Sequence, residues 1–295
     1  MRLLCFGKDG LLGSELQLWL DQVQPESCVW LGKQDCDITD ADAVKQVFQE
    51  HKPTVVINAV AYTLVDDAQD HADTANAVNH VGVQHIVAGC KAHGATLVHF
   101  STDYVFDGTQ TEPYTEDCAV GPINVYGQTK QDAEAYIMGA LEAYYILRIQ
   151  WIFGTKKPNF MSAILKKAKE GGVLRVVNDQ FGSPTSTTTV SKAVVNLLVN
   201  MPAHGVYHFR TLQHTTWYDV AVFVCEQCGL DVNIEEVDTS AYPTKATRPK
   251  NTVLNIGKWI YTDLYTPPMW TEDVKDYLKN KGYIINPENS FNVLR

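Results

Sequence analysis

A glycine-rich turn close to the start of the chain limits the possible folds more than any other pattern. The apolar run Arg2–Phe6 leads directly into Gly7-Lys8-Asp9-Gly10-Leu11-Leu12-Gly13, and helical spacing follows. A strand, a GxxGxxG turn and a helix in succession are typical of a dinucleotide-binding unit. Gly7 allows a tight turn, Gly10 lets a pyrophosphate approach the backbone, and Gly13 lets the helix pack on the sheet. A nucleotide-binding fold is therefore predicted, with an ordinary strand-to-helix turn as the alternative.

Strand-like and helix-like segments alternate from this turn to about residue 180. This order predicts an α/β fold with a doubly wound parallel sheet covered by helices on both faces. Thr39, with Asp42 three residues later, resembles a capping box at the start of the second helix. The predicted strands are Arg2–Phe6, Cys28–Leu31, Thr54–Ala59, Thr96–Phe100, Tyr145–Trp151 and Leu174–Val177, and the predicted helices are Leu11–Val23, Asp40–His51, Ala72–His93, Thr129–Glu142 and Asn159–Lys169.

The rhythm changes after about residue 180, where long irregular stretches join shorter elements. We therefore expect residues 1–150 to form a dinucleotide-binding domain whose core continues to about residue 180. Residues 151–295 are expected to form mainly a smaller, C-terminal substrate-binding lobe. Because no linker-like segment separates the two parts, they are expected to share one core.

Composition and charge narrow the class of protein. A formal net charge of −10 argues against a nucleic-acid partner, because such proteins need a basic surface to displace counterions from phosphates. The first residues read as a buried strand rather than a signal, and no apolar stretch reaches the length of a membrane span. We therefore expect a cytoplasmic protein without a membrane partner. The seven cysteines are expected to be reduced thiols, and Cys225-x-x-Cys228 is interpreted as part of a buried helix rather than a redox or zinc motif.

The end of the second predicted strand bears on cofactor preference. Leu31-Gly32-Lys33-Gln34 stands where nicotinamide enzymes often carry an acidic residue that binds the adenosine ribose. Without a carboxylate to repel a 2′-phosphate, and with Lys33 nearby, NADPH is the expected cofactor and NADH the alternative. Lys33 could equally be a solvated lysine. Asp37 could meet the adenine amino group or serve as a turn residue.

A Tyr-x-x-x-Lys pair, Tyr126 and Lys130, supplies candidate catalytic groups. Four-residue spacing in a helix puts both side chains on one face. A ketone reductase needs an acid that protonates the developing alkoxide, and a neighbouring ammonium lowers the pKa of a phenol towards that task. Thr102 follows the strand ending at Phe100, at the sheet edge where ligands bind, and can hydrogen-bond the same carbonyl oxygen. The alternatives are an exposed helix for the pair and a helix cap or Asx-type turn for Thr102.

In combination, these motifs make the chain resemble the extended short-chain dehydrogenase/reductase superfamily and, within it, the dTDP-4-dehydrorhamnose reductase family. The resemblance rests on the glycine turn and on Val56–Thr63, His99–Gly108, Tyr126–Lys130, Asn178–Thr185 and Arg248-Pro249. It implies a Rossmann-type fold, NADPH or NADH as cofactor, and a dTDP-sugar as substrate. The implied cofactor-binding residues, with those proposed above, are Gly7, Gly10, Leu11, Leu12, Gly13, Lys33, Asp37, Ile38, Ala61, Tyr62, Thr63, Phe100, Tyr126 and Lys130. The implied substrate-binding residues are Thr102, Asp103, Trp151 and Arg248.

Each substrate residue has a structural alternative. Trp151, implied to offer an aromatic face to the hexose, could be a core residue at a strand end. Arg248, implied to pair with the diphosphate, could form a surface salt bridge. Some family members dimerise through magnesium held by acidic residues. Glu15 matches one such position while the other positions have no match, so magnesium at a homodimer interface stays an expectation and no metal site is assigned.

The function implied by the resemblance is reduction of the C4 ketone of a dTDP-4-keto-6-deoxy-L-hexose to give dTDP-L-rhamnose, for surface polysaccharide. A sugar-nucleotide epimerase is the competing enzyme, because it also uses a Tyr/Lys pair. A dehydratase is disfavoured, because it needs an Asp-Glu pair after the threonine and Asp103 is followed by Tyr104. A non-catalytic NADP-binding subunit, like the regulatory subunit of methionine adenosyltransferase, also carries similar motifs. The C4 configuration of the product and the base of the nucleotide stay open.

Overall fold

A six-stranded, fully parallel sheet lies at the centre of the computed structural model, which describes residues 1–23 and 28–284. Its strand order is β2-β1-β3-β4-β5-β10. The strands are β1 (Leu3–Phe6), β2 (Cys28–Leu31), β3 (Val55–Asn58), β4 (Thr96–Thr102), β5 (Tyr144–Ile149), β6 (Ile152–Phe153), β7 (Leu174–Val177), β8 (Phe181–Gly182), β9 (Thr185–Ser186), β10 (Gly205–His208), β11 (Thr215–Thr216) and β12 (Ile234–Val237). Winding reverses between β1 and β3, and ligands of such sheets bind beyond the carboxyl ends of the strands at that point.

Helices cover both faces of the sheet, as predicted. They are α1 (Leu11–Val23), α2 (Ala41–His51), α3 (Val65–Asp70), α4 (Ala72–Asn76), α5 (Gly82–His93), α6 (Val125–Ala140), α7 (Phe160–Glu170), α8 (Thr187–Asn200), α9 (Trp217–Gln227), α10 (Gly257–Tyr261) and α11 (Trp270–Asn280). The predicted helix Ala72–His93 is continuous but contains one π-helical turn, Ala77–Val81, between α4 and α5. Helix α6 begins four residues before the predicted Thr129, so the whole Tyr126–Lys130 motif is helical.

Alternation along the strands builds a core on each face of the sheet. In β1, Leu3 and Cys5 pack with residues of α1 and α8, whereas Leu4 and Phe6 pack with residues of α2, α5 and α6. Strands buried on both faces are the expected consequence of helical crossovers in a parallel sheet. The doubly wound, Rossmann-type fold is therefore confirmed.

The sheet extends past the limit predicted from sequence. Its sixth strand is β10, Gly205–His208, which pairs with β5. The predicted strand Leu174–Val177 exists as β7 but pairs with β12 in a separate two-stranded sheet. The limit near residue 180 is therefore wrong for the sheet. The alternation of strand-like and helix-like segments stops there because residues 151–204 lie outside the central sheet, and the chain returns to it only at β10.

The capping box predicted at Thr39 is also wrong. Asp40 is the N-cap of α2, and its side chain accepts hydrogen bonds from the backbone of Asp42 and Ala43. The Thr39 hydroxyl instead donates to Asp37 at 2.8 Å. An aspartate caps a helix as well as a threonine does, and the sequence offers both side by side.

Buried aspartate Asp273 of α11 ties the later part of the chain to the sheet domain. It accepts hydrogen bonds from the backbone and hydroxyl of Ser186 and from the hydroxyl of Thr189, at the start of α8. Because α8 packs against α1 under the sheet, the last helix stabilises the nucleotide-binding half directly. A separate apolar cluster joins α7, α9 and α11.

Two class predictions concern cysteines and membranes. Cys225 lies in α9 and is buried, and burial raises the pKa of its thiol, which disfavours the reactive thiolate. The neighbouring Cys228 is the C-cap of the same helix. Within residues 1–23 and 28–284, no helix is both long and apolar enough to cross a bilayer.

Candidate active site

The glycine turn forms the floor of the site at the reversal between β1 and β3. Gly7 has a φ of +97°, in the region that favours glycine, and a Cβ there would lie 2.8 Å from the carbonyl carbon of Ala59. The Gly7 carbonyl accepts from the backbone of Gly10 at 2.9 Å, which closes the turn. A Cβ on Gly13 would lie 2.0 Å from that same carbonyl oxygen. The turn therefore requires glycine at both ends.

Replacing Gly13 with alanine is expected to lower the free energy of unfolding by about 1–3 kcal/mol and to weaken dinucleotide binding, because the new methyl group overlaps the turn. The control is Gly139→Ala on α6, where an added Cβ would meet nothing within 4 Å. That variant is expected to gain about 0.4–1 kcal/mol. Urea unfolding and cofactor titration measure both effects. Wild-type values for Gly13→Ala would show that the turn is not tightly packed.

A cavity of about 390 Å³ opens above the turn. Its walls come from the ends of β1, β2 and β3, where the fold predicts a ligand. The predicted cofactor residues that line it are Gly7, Gly10, Lys33, Asp37, Ile38, Ala61 and Tyr62, and residues not predicted are Asp9, Cys36, Ala59, Val60, Val78 and Lys157. The other predicted residues lie outside this lining: Leu11, Leu12 and Gly13 in the first turn of α1, Thr63 exposed after β3, Phe100 buried in β4, and Tyr126 and Lys130 on α6.

Charges at one wall of this cavity are largely paired. Lys33 is 79% exposed, with its ammonium 3.6 Å from Asp37. Asp37 accepts hydrogen bonds from the backbone and the hydroxyl of Thr39, and the backbone hydrogen bond is the main cause that lowers its pKa. Asp37 therefore acts as the turn residue that the sequence gives as one alternative. Asp35 accepts from the backbone of Gly32 and pairs with Lys8 at 2.5 Å. Asp35 is therefore paired outside the lining of the cavity, while Lys33 projects into solvent at its wall.

The candidate catalytic residues meet at the carboxyl end of β4. Thr102 is the last residue of that strand, and Tyr126 is in the first turn of α6, which Asn124 caps by accepting from Gly127. Burial raises the pKa of Tyr126 to about 12, a hydrogen bond with Thr102 lowers it, and Asp103 raises it. The Tyr104 ring packs edge-on against Tyr126, with centroids 6.0 Å apart. Thr102 and Tyr126 therefore form one site, with a phenol that holds its proton.

Lys130 lies one turn below Tyr126 and is 2% exposed. Its ammonium nitrogen is 3.1 Å from His99 Nε2, and His99 Nδ1 is 3.2 Å from the side-chain amide of Asn58. Burial lowers the pKa of Lys130 to about 8, whereas Glu134 raises it. Sequence reasoning missed Asn58 and His99. Their signal was polarity inside strands that are otherwise apolar.

Asp103 lies behind Thr102 rather than in the open pocket. It is 2% exposed, and burial raises its pKa to about 7. One carboxylate oxygen accepts from Thr102 at 3.1 Å, and the other accepts from Thr252 at 2.5 Å. The Thr102 oxygen also accepts from the backbone of Tyr104 at 3.2 Å. Sugar contact by Asp103 stays a prediction, whereas its hold on the Thr102 hydroxyl is a feature of this structure.

A second cavity, of about 800 Å³, is lined by the segment that follows β4, from Asp107 to Pro113, and by the later part of the chain. Arg248 lines it, but its guanidinium makes two hydrogen bonds to Asp66 of α3, at 2.7 and 3.0 Å. Arg248 therefore forms a salt bridge with Asp66, the alternative to a diphosphate contact that the sequence leaves open. Lining residues that sequence reasoning did not single out include Phe181, His214 and Lys250.

Trp151 is held at the junction of the two parts of the chain. Its φ is +46°, and its ring stacks on Trp217 with centroids 3.6 Å apart. Gly182 lies over the ring, because a Cβ there would be 2.3 Å from one indole atom and 2.6 and 2.7 Å from its two neighbours. One face of the ring is thus covered by Trp217, a residue missed from sequence. Gly182 packs on the opposite face, so sugar contact by Trp151 stays a prediction.

Nothing in the described part of a single subunit supports the magnesium expectation. In the described part of the chain, no group of three or more histidine, cysteine, aspartate or glutamate side chains could hold a metal ion. Glu15 accepts instead from the hydroxyl of Thr188 at 2.9 Å and from the indole of Trp19 at 3.1 Å. Its neighbours are neutral donors, which do not complete the oxygen-ligand set that Mg²⁺ requires.

Comparisons with known proteins agree with this geometry. Residues 1–282 match the family model described as the RmlD substrate binding domain. A dTDP-4-dehydrorhamnose reductase of Salmonella typhimurium is 35% identical, covering 94% of this chain and 97% of that protein. A solved dTDP-4-dehydrorhamnose reductase of Clostridium acetobutylicum is 34% identical with a TM-score of 0.90, covering 95% of this chain and 99% of that one. One from Bacillus anthracis, in complex with NADP, is 31% identical with a TM-score of 0.88 and covers 95% and 99%.

Proposed function

Because this chain belongs to the RmlD substrate binding domain family, we propose that it is an NADPH-dependent dTDP-4-dehydrorhamnose reductase. It reduces the C4 ketone of dTDP-4-dehydro-6-deoxy-L-hexose to give dTDP-L-rhamnose. The observation that carries the proposal is that Thr102 and Tyr126 share one site at the end of β4, with Lys130 one helical turn from Tyr126, in a sheet whose first strand leads into a glycine turn suited to a dinucleotide.

The residues present fit NADPH. At Gly7 and Gly13 the turn leaves no room for a Cβ. The first N–H groups of α1 lack partners within the helix, so they are suited to bind a diphosphate. The cavity of about 390 Å³ takes the adenosine end, with Lys33 at its wall. NADPH, when bound, supplies the hydride. Lys130 holds the nicotinamide ribose from below.

Tyr126 supplies the proton to the C4 oxygen. Its raised pKa keeps the phenol protonated until the substrate oxygen gains negative charge. Thr102 polarises the carbonyl. To do so, its hydroxyl turns from Asp103 towards the substrate, while Thr252 continues to donate to the Asp103 carboxylate. The hydroxyl reorients without leaving that carboxylate unpaired.

The larger cavity takes the nucleotide part of the substrate. Arg248, Lys250 and His214 along its wall suit a diphosphate. Arg248 must share or exchange its Asp66 partner to reach one. Trp151 meets the hexose with the part of its ring that Trp217 and Gly182 leave uncovered.

The activity is tested by mixing the protein with NADPH and enzymatically made dTDP-6-deoxy-L-lyxo-4-hexulose. We expect stoichiometric loss of NADPH absorbance and a dTDP-L-rhamnose product. A bound but unconsumed cofactor would instead support an epimerase or a regulatory subunit. A dTDP-6-deoxytalose product would support the reductase activity but show that the C4 configuration of the product is the opposite of the one proposed.

Replacing Lys33 with glutamate is expected to lower kcat/KM for NADPH about 10-fold, because a carboxylate then faces the 2′-phosphate. The value for NADH should change little. Lys166→Glu, on an exposed position of α7, makes the same change in net charge away from the cavity and is the control. An equal decrease in kcat/KM with NADPH and with NADH would show that Lys33 does not interact with the 2′-phosphate.

A further inference from the structure

Three buried polar side chains form a line beneath the catalytic tyrosine. Asn58 ends β3, His99 lies within β4 and Lys130 lies on α6. They are 1%, 0% and 2% exposed. The amide nitrogen of Asn58 is 3.2 Å from His99 Nδ1, and the Lys130 nitrogen is 3.1 Å from His99 Nε2. The proposed reaction uses only the lysine.

The orientation of the Asn58 amide fixes which nitrogen of His99 carries hydrogen. Asn58 Oδ1 accepts from the backbone N–H of Val60 at 3.0 Å, so the Asn58 NH₂ group faces His99. His99 Nδ1 must therefore accept. A neutral imidazole has one donor and one acceptor, so Nε2 carries the hydrogen and points it at Lys130.

This tautomer pairs well with an amine and badly with an ammonium. An ammonium group has three donors and no acceptor, so it would face the Nε2–H of His99 donor to donor. A neutral amine has a lone pair that accepts from Nε2–H. A doubly protonated His99 is disfavoured, because burial and then the neighbouring Lys130 lower its pKa well below the usual value. Only a neutral Lys130 leaves every member of the line paired.

We propose that Asn58 and His99 hold Lys130 as a neutral amine in the cofactor-free protein, and that the lysine takes up a proton when the cofactor binds. His99 is then a positioning residue that acts through Lys130. The second half rests on the proposed function, because it requires a ribose whose hydroxyl groups accept from the ammonium.

The charged residues near Lys130, Glu134 and Arg148, do not strongly favour the ammonium form of the lysine. Glu134, one turn further along α6, raises the pKa of the lysine. However, Arg148 of β5 lies 2.6 Å from the Glu134 carboxylate and neutralises it. The His99 tautomer adds to the effect of burial, which outweighs Glu134 and lowers the pKa of Lys130 to about 8.

The consequence for catalysis is a tyrosine that becomes a better acid only when cofactor is present. Burial raises the pKa of Tyr126 to about 12, and a neutral lysine has no charge that would lower it. One solvent proton converts the amine to an ammonium as the cofactor binds, and that charge lowers the pKa of Tyr126. Proton donation is thereby linked to occupancy of the site.

The first test reads the His99 tautomer by nitrogen NMR of histidine-labelled, cofactor-free protein. We expect hydrogen on Nε2 in the wild type. In Asn58→Asp, a carboxylate faces Nδ1, so hydrogen should move to Nδ1 and leave Nε2 to accept from an ammonium. The His99 signal is assigned by its loss in His99→Gln. Hydrogen on Nδ1 in the wild type would overturn the proposal.

The second test measures proton uptake on binding NADP⁺ at about pH 8, by calorimetry in two buffers of different ionisation enthalpy. We expect an uptake approaching one proton per cofactor in the wild type. In His99→Gln the amide oxygen accepts from an ammonium, so the lysine is already charged and the uptake should be lost. His93→Gln, at an exposed histidine, should behave as the wild type.

Two failures remain distinguishable. Equal uptake in the wild type and His99→Gln, or no uptake in either, would overturn the inference while the reductase stands. If NADP⁺ does not bind at all, the proposed function fails, and the tautomer measurement still decides whether Asn58 and His99 hold the lysine neutral.

Discussion

Replacing Tyr126 with phenylalanine is expected to lower kcat by about 100-fold or more, a usual range for the loss of a general acid. Phenylalanine keeps the ring that packs edge-on against Tyr104 and removes only the hydroxyl that holds the proton. Thr102 would remain, but it cannot supply the proton because an aliphatic hydroxyl is a much weaker acid than a phenol. Cofactor affinity and the free energy of unfolding should stay near their wild-type values.

The control is Tyr136→Phe on the same helix. Tyr136 is 39% exposed and packs against His80, away from the site. It should keep wild-type turnover. The measurements are NADPH oxidation under saturating substrate, cofactor titration and urea unfolding. Turnover retained in Tyr126→Phe would exclude this residue as the proton donor.

Replacing Arg148 with methionine is expected to lower the free energy of unfolding by about 3–5 kcal/mol, because it leaves a buried carboxylate unpaired. Arg148 is 3% exposed and donates to both oxygens of Glu134, which is 1% exposed. It also lies 3.2 Å from His208 and stacks over Phe106. These contacts join α6, which carries the catalytic pair, to β5 and β10.

A double variant separates the unpaired charge from lost packing. Glu134→Leu combined with Arg148→Met removes both charges and should cost less stability than Arg148→Met alone. Arg175→Met, at an exposed position of β7, controls for loss of a positive charge. A single variant as stable as the wild type in urea would show that water or another cation replaces Arg148 at Glu134.

Local patterns were enough to predict the nucleotide-binding half. The first helix and the second strand were predicted at their observed limits, because turn residues bound both segments. The glycine turn and the Tyr126–Lys130 spacing act over a few residues, so a single sequence displays them. Their positions at the carboxyl end of the sheet then followed from the parallel fold.

Contacts between distant segments could not be predicted in this way. Asn58 and His99 come together only because β3 and β4 pair in register at those positions. Arg248 meets Asp66 across 182 positions of sequence. Strand β10 is only four residues long, and its register with β5 has no local signal. Such partners depend on tertiary geometry rather than on propensity or periodicity.

The late arrival of β10 and Asp273 has a consequence for synthesis on the ribosome. When β5 has emerged, its outer edge has no partner until the chain has grown by more than fifty further residues to Gly205–His208. The donors at the start of α8, the backbone N–H of Ser186 and the hydroxyl of Thr189, also have no acceptor until Asp273 has been made. An unpaired strand edge is a template for association between nascent chains. The nucleotide-binding half is therefore translated first but is completed only after β10 and α11 have been made.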